Sequence, residues 1–278
     1  ISPVMIDLSS TLEIVARTDP GLIRPHNEDA VSVNPVLGLA ILADGMGGYN
    51  AGEVAAGMAT ALLASEMEKA FAASEPHEKL PEGRLWAHAV LESEISQANA
   101  AIYQAAQSQP QYAGMGTTLV MALFYDDRIA VAHIGDSRLY RWRDNELQRV
   151  TRDHSLLQEQ IDSGMISPEQ ARFAQNRNLV TRALGVDPVV EADIDDHAVL
   201  PGDIYLLCSD GLNDMVDDAE IAMALAALAT NLELCASQLV EMANDNGGRD
   251  NISVILVRVR KAYPVPRGWW ARFLAWFK

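Results

Sequence analysis

Apolar positions fall along the chain in two rhythms, short runs with two-residue alternation and longer stretches with helical spacing, and their order sets the architecture. The opening LEIVART alternates like a strand. DPGLIRPHNED breaks that pattern with two prolines and a glycine, after which AVSVN and LGLAILAD predict a hairpin of buried strands. Between Gly52 and Phe71 the residues Val54, Met58, Ala61, Leu62 and Met67 recur at helical spacing, and a second amphipathic stretch runs from Arg84 to Gln107. These two helices are expected to cover a sheet face. TTLVMALFY, RIAVAHIG and RLYRW, separated by Asp-Asp and Gly-Asp-Ser turns, predict an antiparallel meander rather than an alternating βαβ order. Residues 151–178 are polar and helix-prone, an excursion over the surface that could lie over a site. DIYLLCS predicts a buried strand, residues 217–244 two Ala/Leu-rich helices, and ISVILVRVR a closing strand. Strands and helix pairs come in blocks, which predicts an α+β fold in one main domain.

Composition sets the environment. With 278 residues, 49% of them hydrophobic, the chain can bury a large core and reads as a soluble globular protein. Its formal net charge of −17 argues against nucleic acid as a partner and against anionic lipid for the body of the domain, since both need clustered Lys and Arg. The two cysteines, Cys208 and Cys235, form neither a CxxC pair nor a disulfide framework, which suits a reducing cytoplasm. No apolar run approaches the roughly 20 residues of a membrane span. The first residues lack the basic and apolar regions of a signal peptide, and residues 1–10 read as an N-terminal extension or a cloning remnant.

Against that acidic background four aspartates stand at the ends of apolar runs or on glycine-rich turns: Asp44 in LAILADGMGG, Asp136 in IAVAHIGDSR, Asp210 in IYLLCSDG and Asp250 in GGRDNISVILV. Carboxylates delivered from distant segments to one rim of a sheet repel each other unless cations sit between them. The pattern points to a metal site and to hydrolysis by metal-bound water. Taken singly, each has a plainer reading as a turn former or a cap on backbone N–H groups. The glycines beside them allow a ligand close to the backbone. Asp44-Gly45-Met46-Gly47-Gly48 is not a dinucleotide turn, because GxGxxG counted from Gly45 needs glycine where Asn50 stands. Arg24-Pro25-His26-Asn27-Glu28-Asp29 places a guanidinium fork, suited to phosphate oxygens or to a loop salt bridge, five positions before a carboxylate.

Seven segments in order, RPHNED (24–29), LADGMGG (42–48), GMGTTLV (114–120), HIGDSRLY (133–140), TRDHS (151–155), LLCSDGL (206–212) and GGRDNISV (247–254), resemble the bacterial metal-dependent Ser/Thr phosphatases of the protein phosphatase 2C family across nearly the whole chain. The resemblance implies a central antiparallel β-sandwich flanked by helix pairs on both faces, with a binuclear Mn²⁺ or Mg²⁺ centre at one end and a weaker third ion. It implies that Asp44 bridges the two core ions, that the Gly45 carbonyl binds one of them and that Asp210 and Asp250 bind the other. Asp29 and Glu28 would hold metal-bound waters, and Asp136 would share the third ion with Asp210. A hydroxide on the metal pair would attack phosphorus in line, with Arg24 orienting the phosphate and no phosphoenzyme. Oxygen donors without His or Cys select Mg²⁺ or Mn²⁺ over Zn²⁺. Met46 stands where eukaryotic relatives carry a candidate acid histidine; a metal-bound water, His133 and His154 are the substitutes, although a lone histidine beside a strand is more often structural.

A cysteine phosphatase is excluded because Asp214 and Glu241, not arginine, stand six positions after the cysteines. The nearest approach to an aspartyl-phosphatase motif, Asp193-Ile194-Asp195-Asp196-His197, ends in histidine. A pseudophosphatase that binds phosphoproteins on the same fold is the alternative, and the intact Asp44, Asp210 and Asp250 argue against it. The catalytic domain is expected over 11–261, with a flap over about 151–178 that influences substrate choice through Arg172 and Arg177. The tail 262–278 holds Trp269, Trp270 and Trp276 among Arg267, Arg272 and Lys278, the composition of an interfacial helix, a partner-docking segment or a piece packed on its own domain. The expected partners are phosphoproteins and a Ser/Thr kinase with the same targets, the expected state a monomer, and the expected location the cytoplasm, with the tail as a means of peripheral membrane attachment.

Overall fold

The computed structural model describes residues 7–48, 51–74, 76–81, 83–167, 170 and 179–265. Most of the aromatic tail, and Arg172 and Arg177 of the flap, lie outside the described residues.

Eleven strands are described: β1 (Leu12–Asp19), β2 (Asp29–Asn34), β3 (Leu39–Met46), β4 (Gly116–Thr117), β5 (Leu119–Tyr125), β6 (Arg128–Ile134), β7 (Arg138–Arg143), β8 (Glu146–Arg149), β9 (Asp193–Ala198), β10 (Ile204–Cys208) and β11 (Ile252–Val259). They form two antiparallel sheets ordered β1-β11-β10-β7-β8 and β2-β3-β5-β6-β9, with β4 hooked onto β3. Helices α1 (Ala51–Ala73) and α2 (Trp86–Ser108) cover the second sheet. The first sheet is covered by α5 (Asp218–Leu228) and α6 (Leu232–Asp245). Two short α-helices, α3 (Leu156–Asp162) and α4 (Asp210–Asn213), and a 3-10 turn at Pro110–Tyr112 are also described.

Strand alternation explains the layering, because successive side chains point to opposite faces. In β3, Leu39, Ile41 and Ala43 meet the helices while Ala40 and Leu42 meet the opposite sheet. In β10, Ile204, Leu206 and Cys208 face helices, and Tyr205 and Leu207 face inward. Both faces of each sheet are therefore buried, which is why β3, β5 and β11 read as continuous apolar runs. The caps are local: Asp217 and Glu220 form a reciprocal capping box on α5, and Asn231 accepts from Leu234 N–H to start α6.

The expected meander holds only for β5 and β6, joined by Asp126 and Asp127 with φ of 46° and 56°, the left-handed pair of a tight hairpin. β7 lies in the other sheet, against β10 and β8. The Gly-Asp-Ser segment is thus a crossing between sheets: Gly135 has φ 100°, and Ser137 Oγ lies 2.7 Å from Thr118 Oγ1. Turn residues announce a reversal, but nothing local tells which sheet receives the next strand. β9, made of DIDDHA, is an edge strand that lacks the apolar run by which strands were read; its acids face solvent and the arginines Arg128 and Arg182. Within the segments assigned to the two chain ends, Leu8 and Tyr263 are buried in the layer between the sheets.

Candidate metal centre

At one end of the sandwich the inward-facing positions turn from apolar to polar. Continuing the alternation of Ala40 and Leu42 along β3 places Asp44 inward, and β2 pairs Asp29 directly opposite it. Ser209, after β10, is also inward, and its hydroxyl donates to Asp29 Oδ2 at 2.8 Å across the sheets. Thr118 Oγ1 accepts from Asp44 N–H at 3.1 Å, while Thr117 Oγ1 and Thr118 N–H both donate to the Asp44 carbonyl. The Asp44 backbone is therefore held from three sides, leaving its carboxylate to point into the mouth.

The aspartates converge electrostatically. Burial pushes Asp44 well above the ordinary carboxylate range, and the charges of Asp29, Asp210, Asp136 and Asp250 push it further. Asp210 is raised in the same way, by burial and then by Asp136, Asp214, Asp250 and Asp29. Asp29 rises to about 6 through burial, against the hydroxyls of Ser253 and Ser209 that hold it down. Asp136 also rises to about 6, by burial and the charge of Asp153. Glu28 is raised chiefly by burial, with Arg24 opposing. Five carboxylates from β2, β3, the 135–137 crossing, α4 and the 247–251 turn thus bring like charges together in one mouth. Asp29 Oδ1 is buried there without a hydrogen-bond partner. An unfilled buried carboxylate oxygen amid like charges fits oxygen-ligated divalent cations.

Glycines bring the backbone close. A Cβ on Gly45 would sit 2.1 Å from the Gly52 carbonyl oxygen, so β3 and the start of α1 touch backbone to backbone beside Asp44. A Cβ on Gly211 would lie 2.0 Å from the Asn251 carbonyl oxygen, which seats α4 on the 247–251 turn. Arg24 Nη2 donates to Asp250 Oδ2 at 2.7 Å, placing the guanidinium on the rim of the mouth. Asn251 was not singled out from the sequence, yet it organises this rim. Its side chain donates to the carbonyls of Pro20 and His26 and accepts from Glu28 N–H at 2.8 Å. Its place beside Asp250 in GGRDN was the available signal. Asp214 is a second omission, acting on Asp136 and Asp210 by charge.

His133, His154 and Asp193 are a separate group whose ligand atoms lie within 4.8 Å of one another. The rings stack with centroids 4.7 Å apart. His154 Nδ1 accepts from Gly135 N–H at 3.1 Å, which leaves the proton of a neutral ring on Nε2, facing Asp193 Oδ2 at 3.3 Å. His133 is engaged with the Arg152 carbonyl at 2.8 Å. With the Nδ1 lone pair of His154 spent on a backbone donor and Arg182 on Asp193 at 2.8 Å, the group braces the Gly135 crossing, although His154 Nε2 is buried near Asp193 without a hydrogen-bond partner. Burial and His133 hold His154 below the ordinary histidine range.

A family profile described as "Protein phosphatase 2C" matches residues 25–244. The chain is 39% identical over 255 residues to "Serine/threonine protein phosphatase PstP" of Mycobacterium tuberculosis, which covers 92% of this chain and 46% of that protein. It therefore spans about half the length of that relative. It is also 39% identical to "Serine/threonine phosphatase stp" of Listeria monocytogenes over 87% of this chain and 93% of that one. The structure resembles the PstP catalytic domain "in complex with 2 Manganese ions", with a TM-score of 0.77 at 39% identity, covering 90% of this chain and 99% of that one.

Proposed function

Because the chain belongs to the protein phosphatase 2C family, we infer that it hydrolyses phosphoserine and phosphothreonine in proteins with the help of Mn²⁺ or Mg²⁺. The observation that carries this reading is the mutually repelling set Asp44, Asp29, Asp210 and Asp136, with Asp250 on the rim beside Arg24.

In this reading Asp44, the Gly45 carbonyl, Asp210 and Asp250 would hold two divalent ions, and Asp136 with Asp210 would hold a weaker third. Asp29 and Glu28 would hold water behind them. The ions would supply an acidified water and offset charge on the phosphoryl oxygens. The chain's own work is positional. Thr117 and Thr118 fix Asp44 through its backbone, and Ser209 fixes Asp29. Arg24 turns from Asp250 toward the phosphate monoester as substrate enters, supplying two parallel N–H donors. Asp29, with one oxygen hydrogen-bonded and the other free, orients water toward the mouth. The leaving oxygen takes its proton from water, since the His154 ring is buried and committed through Nδ1 to the Gly135 N–H.

Activity is expected on a phosphothreonine peptide with Mn²⁺, abolished by EDTA and reduced at least a hundredfold in Asp210→Ala. Turnover surviving both treatments would overturn the mechanism, while phosphopeptide binding without turnover in the wild type would favour a pseudophosphatase.

Beyond the chemistry, a catalytic unit over 11–261 acting as a monomer, opposing a Ser/Thr kinase on shared targets, is consistent with this activity. A cytoplasmic setting agrees with two buried unpaired cysteines. The composition of 262–278 supports docking of the tail on a membrane surface or a partner.

A further inference from the structure

Building on the phosphatase reading, we propose that Leu22 and Ile23 form an apolar lip that receives apolar side chains flanking the phosphorylated residue of a protein substrate. Leu22 and Ile23 are 66% and 69% exposed, and among the described residues they are the only large exposed apolar pair adjacent in sequence. Their exposure does not come from a loosely held loop. Both N–H groups donate to the Gly248 carbonyl, at 2.8 and 3.2 Å. Gly248, with φ 47°, comes so close that a Cβ there would lie 2.9 Å from Leu22 N, and Gly21, with φ 75°, abuts the Asp250 carbonyl. The backbone is moored on the turn that carries Asp250, and Arg24, the next residue, donates to that carboxylate at 2.7 Å.

Mooring the backbone beneath two exposed apolar side chains orders residues that gain no burial in return. Their position supplies the occupant. On an extended peptide the residues one and two places from the phosphorylated one lie only about 3.5 to 7 Å along the chain from it, and the lip is formed by the two residues just before Arg24. The strongly acidic chain disfavours acidic flanks, and the lip itself offers flanking residues only apolar contact.

The test uses the full chain with Mn²⁺ and two phosphothreonine peptides, one flanked by leucines and one by glycine and serine. Steady-state kcat/KM is measured for wild type, for Leu22→Ser/Ile23→Ser and for the conservative Leu22→Met/Ile23→Val, with peptide binding followed in parallel by fluorescence anisotropy. Wild type should prefer the leucine-flanked peptide about tenfold, the scale of one apolar contact in a pocket. The preference should collapse toward unity in the serine variant, through KM, and survive in the conservative one. A preference that persists in the serine variant, or a wild type that does not discriminate, overturns the lip. So does an equal loss on both peptides, which would signal a displaced Arg24. If no peptide is turned over, the phosphatase reading fails, and the anisotropy series still decides whether the lip selects apolar flanks.

Discussion

Charged Asp29 and Asp136 are costly in their buried setting, and both titrate near 6. A carboxyl whose pKa is higher in the folded chain than in the unfolded one, near 3.9, contributes stability that is full below the unfolded value and lost as pH rises through the folded one. With EDTA present, thermal stability should therefore rise as pH falls from 7.5 to 5.5, and added Mn²⁺ should raise the melting temperature more at pH 7.5 than at 5.5. His154 acts in the opposite sense: its lowered pKa contributes stability above about 6.5 that is lost as pH falls. Melting curves of wild type and Asp136→Asn in EDTA check the assignment, since the variant should show a flatter pH dependence. An identical slope would remove Asp136 from the account. Asp44, Asp136 and Asp210 were legible as candidates because each follows an apolar run, Asp250 because it stands on a glycine-rich turn before one, and Asp29 through RPHNED. That burial and mutual repulsion, rather than cap formation, govern them became visible only when five segments met.

At the scale of elements, the site depends on how closely α1 and α4 approach the strands that feed it. Gly45→Ala places a methyl group 2.1 Å from the Gly52 carbonyl oxygen, a backbone atom that no rotamer change can move. Such overpacking costs about 1 to 3 kcal/mol, and it pushes Asp44 out of line with Asp29. Urea unfolding should show that loss, and phosphopeptide turnover with Mn²⁺ should fall more than tenfold; full activity would mean the contact yields without moving Asp44. Asn251→Ala should act differently. It releases Pro20, His26 and Glu28 together, so KM for a phosphopeptide should rise severalfold as the loop carrying Arg24 loosens. An unchanged KM would show that the Leu22 and Ile23 bonds to Gly248 suffice. Helices α1, α2, α5 and α6 were readable from helical spacing, but the buried face of α1 runs through Ala55, Ala59, Leu63 and Met67, so Ala61 is exposed and Val54, Met58 and Leu62 are half-buried. The edge strand β9 was not readable: its acids answer to Arg128 and Arg182 rather than to an apolar partner.

The whole molecule is a sandwich whose interior is apolar through most of its depth and acidic at one mouth, and its last described residues lie against the turn between β5 and β6. Tyr263 N–H donates to Asp127 Oδ1 and Val265 N–H to Asp126 Oδ1 at 2.8 Å. These contacts set where a truncation leaves the fold untouched. If 266–278 docks on membranes, the full chain should co-sediment with phosphatidylserine-containing vesicles more than a chain stopped after Val265, which keeps the Tyr263 contacts. Equal sedimentation would remove the membrane reading. Residue type and spacing carried two properties, that apolar runs and helix pairs come in blocks and that carboxylates stand beside them, and the ordered motifs added the resemblance to metal-dependent phosphatases. Tertiary structure alone decided that the Gly-Asp-Ser segment crosses from one sheet to the other and that Asn251 holds the rim. It also decided that His154 spends its lone pair on Gly135, and that Leu22 and Ile23 remain exposed on a moored backbone. Each of these depends on which distant segments come within hydrogen-bonding or van der Waals distance, and no local pattern encodes that distance.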